Sequence, residues 1–221
     1  LLMSQILDNE TKGHDIGVIS GPNLAQEISL NQLTGTVIAS KSRALQDECI
    51  KVFSSDSFRL YTNDDPYGVE LGGALKNIYA IACGIADGLD SGENTVGMIM
   101  TRGLAEMSRF AVNQGADPMT FLGLSGVGDL ITTCASPLSR NHALGKLIGR
   151  GLTIDEAQKE IDQTTEGLKT LKVVWEKAKE EGIEMPIVNS LYTIIYGKES
   201  LEGSIEKVLG TDQPKDVEFS R

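Results

Sequence analysis

Between Glu70 and Asp87 the chain carries a single charge, Lys76. Apolar residues recur through this stretch at Leu71, Leu75, Ile78, Ala82, Ile85 and Leu89, spaced by three and four, which is the period of a helix. Ile78 to Ile85 has no charge on any face, so a helix over 70–89 is expected to be buried on most sides. A second long helix is read over 96–111, with Val96, Met100, Gly103, Met107 and Phe110 in register. Shorter helices follow over 118–122, 129–134, 138–150, 154–161, 165–181, 186–196 and 200–209. Pro186 suits a first helical turn, where its missing N–H costs nothing.

Ahead of residue 65 the pattern differs. Residues 15–20 read as a buried strand ended by Gly21-Pro22, 23–30 as a short helix and 36–40 as a second strand. Residues 42–54 read as a helix with Leu45, Cys49 and Val52 on one face, and 58–62 as a third strand. This alternation is the trailing edge of an α/β sheet, with a boundary near residue 65. Three strands are too few for a complete nucleotide-binding domain. The chain does not begin with Met, so residue 1 is read as an internal position of a longer protein.

The net charge of −11 argues against non-specific nucleic-acid binding, which needs a cationic face. It leaves room for an anionic small substrate, because a few converging cations dominate a pocket locally. Cys49, Cys83 and Cys134 show no CxxC spacing and fit a reducing compartment. His14 and His142 are too few and too far apart to suggest a metal site. No apolar run is read as long enough for a membrane span, and the polar residues after Met3 exclude a signal peptide.

Several residues stand out chemically, each with two readings open. Lys76 is either a lysine whose stem packs on the helix while its head reaches water, or a proton donor and acceptor. Ser139-Arg140-Asn141 opens a helix. It is either an ordinary cap with a surface arginine, or a phosphate site built from free N–H groups and a guanidinium fork. Gly123 to Gly128 is glycine-rich without the GxGxxG spacing and reads as a loop entering a helix capped by Asp129. Thr164 and Glu166 lie at another helix start. Gly72-Gly73, one turn before Lys76, implies a close approach by a ligand or a neighbouring backbone.

Taken together, these segments resemble the NAD(P)-dependent glycerol-3-phosphate dehydrogenases. The resemblance rests on Gly72-Gly73-Ala74-Leu75-Lys76-Asn77 followed by 84–89, on 101–107, and on Gly126-Val127-Gly128-Asp129-Leu130 with Thr133-Cys134. The third of these runs on to Ser139-Arg140-Asn141, and Glu166-Gly167 and 185–188 follow, five motifs in the family's order across nearly the whole chain. It implies a mainly α fold. An all-helical substrate-binding and catalytic domain of the 6-phosphogluconate-dehydrogenase-like C-terminal type, residues 66–221, is preceded over 1–65 by the last strands of a Rossmann-like NAD(P)-binding α/β domain.

Residue roles follow from the resemblance. Lys76 aligns with the proton acceptor. Asp129, with Gly21, Asn23, Ser139, Arg140 and Asn141, aligns with residues that hold glycerol 3-phosphate and orient the lysine. Ala25, Arg140, Thr164 and Glu166 align with contacts to NAD or NADP, and no metal is implied. Ser20-Gly21-Pro22-Asn23-Leu24-Ala25 departs from the family's segment at Asn23, where a small hydroxyl residue is usual. Thr164 stands where an aliphatic residue is common. The family's GxGxxG and a second substrate lysine are not in this sequence, so the chain by itself is expected not to turn over. The implied activity interconverts sn-glycerol 3-phosphate and dihydroxyacetone phosphate, feeding glycerophospholipid synthesis in a cytoplasmic homodimer. A related hydroxy-acid dehydrogenase and a non-catalytic phosphoester-binding or dimerisation module are the alternatives.

Overall fold

The computed structural model describes residues 2–161 and 165–197. Three strands, β1 (Gly17–Ser20), β2 (Thr34–Ser40) and β3 (Phe58–Asn63), form one sheet in that order. β1 runs antiparallel to β2, pairing Gly17 with Ser40, and β3 runs parallel to β2, pairing Thr34 with Phe58. α1 (Met3–Glu10) precedes the sheet, α2 (Ala25–Ser29) joins β1 to β2, and α3 (Arg43–Phe53) makes the crossover to β3. The helices that follow are α4 (Pro66–Gly88), α5 (Glu93–Asn113), α6 (Asp129–Ala135), α7 (Arg140–Gly149), α8 (Ile154–Ile161), α9 (Glu166–Glu181) and α10 (Pro186–Tyr196). A 3-10 turn, Pro118–Leu122, and a π-helical turn, Leu124–Gly128, lie between α5 and α6. The mainly α class with a short leading sheet is what the sequence reading expects.

The chain gathers into two compact units. The first holds Leu1–Lys76 and Ala111–Thr133, the second Asn77–Phe110 and the described residues from Cys134 onward. In the first unit, β2 carries the burial, and Val37, Ala39 and Val69 pack together with Val18 and Leu124. Gln46 locks the sheet to α3, its amide donating to Ser40 O at 2.7 Å, Asn63 O at 3.0 Å and Asp64 Oδ1 at 3.0 Å. Asp65 caps the start of α4 by accepting from Gly68 N at 2.9 Å and takes Thr120 Oγ1 at 2.9 Å. The second unit is built on Ile78 to Ala86, with Met107, Phe110, Leu144, Leu171, Met185 and Leu191 buried around it. α7 packs on α8 and α9 on α10.

Three expectations need correcting. β1 is not a buried strand: its residues alternate between exposed and half-buried, because it is paired on one side only within this sheet. Val52 is 66% exposed and does not share the inward face of α3 with Leu45 and Cys49. α4, at 23 residues, is in fact long and apolar enough to cross a membrane, but most of it is buried inside the protein, as in a core helix. The helix read over 200–209 lies outside the described residues.

Candidate active site

In the first unit Lys76, the one charge of α4 between Glu70 and Asp87, finds its partner. Lys76 Nζ lies 2.6 Å from both carboxylate oxygens of Asp129, whose side chain is 2% exposed against 19% for the lysine. Asp129 is therefore not the helix cap expected from its place after the glycines. It is the first residue of α6, and its carboxylate turns to Lys76 instead of the helix start. Thr133 Oγ1, one turn on, donates to Asp129 Oδ1 at 3.3 Å. Burial pushes the Asp129 carboxyl above its usual range, opposed by the charge of Lys76 and by hydrogen bonds from Lys76, Thr133 and Ser20.

Gly72 and Gly73 are explained by close approach of the protein itself. A Cβ on Gly72 would lie 2.6 Å from the Ser125 carbonyl, and one on Gly73 would lie 2.6 Å from Ser20 Oγ. The second approach seats the Ser20 hydroxyl one turn from Lys76 on α4. After Ser20 the chain turns at Gly21, which is buried and has φ of +152°, a conformation L side chains rarely adopt. Thr36 Oγ1 holds this turn, donating to Ser20 O at 3.1 Å and accepting from Asn23 Nδ2 at 2.8 Å. The other end of the Asn23 amide, Oδ1, is buried without a partner among the described residues. Ala25 begins α2 and is exposed.

In the second unit, Ser139 caps α7 by accepting from His142 N at 3.3 Å. Arg140 follows as the first helical residue with its side chain exposed. Asn141 points the other way. It is 8% exposed, donates to Asn77 Oδ1 at 3.0 Å and accepts from Gly167 N at 3.1 Å. Asn141 thus ties the start of α7 to α4 and to the start of α9. Glu166, the first residue of α9, is exposed, and Thr164 lies outside the described residues.

Sequence reasoning missed Ser20, Thr133 and Asn77 as supporting residues. Each lay inside a quoted motif, but a hydroxyl or amide aimed at another side chain leaves no periodic trace. Thr165 was missed as well. It sits at the N-cap of α9 without making a cap hydrogen bond, and its buried Oγ1 has no partner among the described residues. That hydroxyl, next to Glu166, is the feature here that fits contact with a dinucleotide.

Residues 65–206 match the model of the NAD-dependent glycerol-3-phosphate dehydrogenase C-terminus, and residues 1–46 match that of its N-terminus. The chain belongs to the NAD-dependent glycerol-3-phosphate dehydrogenase family. A glycerol-3-phosphate dehydrogenase (NAD(P)+) of Pseudomonas syringae pv. syringae is 52% identical over 99% of this chain and 64% of its own length. One of Psychrobacter cryohalolentis is 53% identical over 99% of this chain and 51% of its own. Among solved structures, the glycerol-3-phosphate dehydrogenase of Coxiella burnetii superposes with a TM-score of 0.90 at 38% identity, covering 94% of this chain and 64% of that one. The chain thus spans between about half and about two thirds of the length of these family members.

Proposed function

We propose that this chain is the substrate-binding and catalytic portion of a glycerol-3-phosphate dehydrogenase, interconverting sn-glycerol 3-phosphate and dihydroxyacetone phosphate with NAD or NADP. Family membership supports the reaction class. The observation that carries it to residues is the Lys76–Asp129 pair, a lysine held by a buried carboxylate in the uncharged stretch of α4 between Glu70 and Asp87. When bound, the nicotinamide supplies or accepts the hydride at carbon 2. Lys76 serves the oxygen on that carbon. As the ammonium it polarises the carbonyl and gives up a proton, and as the amine it takes the hydroxyl proton back. Asp129, set by Thr133 and Ser20, holds the lysine head in one place, where a small misplacement is costly.

The start of α7 holds the phosphate. Arg140 offers its fork, the Ser139 and Asn141 side chains lie on either side in sequence, and the helix N-terminus favours an anion. Gly21 and Asn23 contact the substrate, with Asn23 Oδ1 as an available acceptor. Ala25, Arg140, Thr164 and Glu166 contact the cofactor. On this reading residues 1–65 belong to the cofactor-binding domain and 66–221 to the helical substrate domain. The enzyme works as a cytoplasmic homodimer feeding glycerophospholipid synthesis. Steady-state kinetics on the protein from the complete reading frame tests the assignments. Lys76→Ala lowers kcat by about a thousandfold or more, whereas Arg140→Ala mainly raises KM for the phosphorylated substrate, by about tenfold or more. Near-normal kcat in Lys76→Ala at every pH removes the proton-transfer role.

A further inference from the structure

His142 sits in the first turn of α7, two residues after Arg140, and takes no part in the reading above. Its ring is 10% exposed and lies between two groups from other helices. Nδ1 is 2.6 Å from the carbonyl oxygen of Cys134, near the end of α6. Nε2 is 3.0 Å from Asp87 Oδ2, near the end of α4. A carbonyl oxygen accepts and never donates, and an ionised carboxylate does the same. Each ring nitrogen thus faces an acceptor, and the ring bridges the end of α6 and the end of α4. Lys146, one turn further along α7, reaches the same Asp87 oxygen at 2.8 Å. Hydrogen bonds from Lys146 and then His142 hold the Asp87 carboxyl below its usual range, so it is the ionised form that faces the ring.

The backbone is fixed at the same place. His142 N is bonded to Ser139 Oγ, and the His142 carbonyl lies against Gly84 of α4 so closely that a Cβ there would collide with it. The outcome is a turn carrying Ser139, Arg140 and Asn141 that is anchored from behind at both ring nitrogens.

We propose that His142 is a positioning residue for phosphate: its ring, set between Asp87 and the Cys134 carbonyl, fixes the helix turn that presents Ser139 and Arg140, while Asn141 ties that turn to α4 and α9. The inference rests on the substrate reading above for the identity of the anion, and on the ring geometry alone for the anchor. Nitrogen-15 NMR of the histidine-labelled full-length protein near neutral pH reads the anchor directly. Ring-nitrogen shifts of His142 that change in Asp87→Asn are the expected result, and shifts that Asp87→Asn leaves unmoved overturn the anchor. Kinetics read the consequence. His142→Leu raises KM for dihydroxyacetone phosphate by about tenfold, with kcat changed by less than about twofold. It leaves kcat/KM for unphosphorylated dihydroxyacetone within about twofold, because that substrate makes no use of the phosphate turn. Asp87→Asn shifts the same KM in the same direction. Equal losses on both substrates, or no change in KM for either, overturn the positioning role. Absence of turnover in the wild type contradicts the substrate reading instead, and the NMR result then decides the anchor by itself.

Discussion

Glu106 shows at the residue scale what a buried carboxylate does when it is used for structure. It is 3% exposed and caps α10, accepting from Ile187 N at 2.7 Å and Val188 N at 3.3 Å, while Tyr79 OH donates to it at 3.2 Å. Burial raises its carboxyl from the ordinary 4.5 to about 7, against the pull of those hydrogen bonds. Between about pH 4.5 and about pH 7 the unfolded chain has lost this proton while the folded chain keeps it. Stability from this group is therefore whole below the unfolded value, falls as pH rises through the window, and is gone above about pH 7, a loss on the order of 3 kcal/mol. Glu106→Gln keeps an acceptor for α10 and has no charge to bury. Its melting temperature relative to the parent is expected to rise by about 5 °C between about pH 5 and about pH 8. A difference that stays constant with pH contradicts the assignment. Glu106 was not legible in advance, because on the amphipathic pattern of α5 a glutamate is read as solvated. Lys76 was legible, being the one charge in a long apolar stretch. Its partner was not, since Asp129 lies 53 residues away and only the family resemblance singled it out.

The interplay of α4 and α7 belongs to the scale of elements. Gly84 and Gly88 on one helix meet Gly145 and Gly149 on the other, each pair four residues apart. A Cβ on Gly84 would collide with the His142 carbonyl, on Gly88 with that of Lys146, on Gly145 with that of Ile81, and on Gly149 with that of Ile85. These obstacles are backbone atoms, which cannot swing aside as a side chain does. Gly145→Ala is therefore expected to destabilise the protein by about 3 kcal/mol or more, or to prevent folding. Gly97→Ala, on α5, meets nothing within 4 Å and should stabilise by about 0.5–1 kcal/mol through helix propensity alone. Thermal or urea denaturation separates the two, and similar effects from both substitutions would contradict the packing account. The helices themselves were readable, α8 and α10 to the residue, since capping residues and Pro186 mark their starts. Thr153 and Glu156 bracket the start of α8 through a 2.9 Å bond to the Thr153 N–H. The glycine pairs were visible as spacings, but which helix each one faces is a tertiary fact. The antiparallel course of β1 was equally hidden, because alternation of residues carries no strand direction.

Across the whole molecule, each unit carries residues of the proposed chemistry. The first holds the Lys76–Asp129 pair and the Gly21 turn, the second the capped start of α7 and the buried hydroxyl at α9. The order of five motifs identified the family before any coordinates, because motif order reports on the whole chain where a single motif reports only on one turn. Support contacts such as Asn77–Asn141 and Ser20 at Gly73 needed the fold. Our proposal is that, in the protein from the complete reading frame, dihydroxyacetone phosphate is reduced through Lys76. The direct measurement is oxidation of NADH and of NADPH that depends on dihydroxyacetone phosphate, by the protein from the complete reading frame, in parent and Lys76→Ala forms. Turnover with at least one cofactor in the parent, lost by about a thousandfold or more in the variant, is the predicted result. A folded parent that oxidises neither cofactor, or a variant that keeps the parent's rate, contradicts the account.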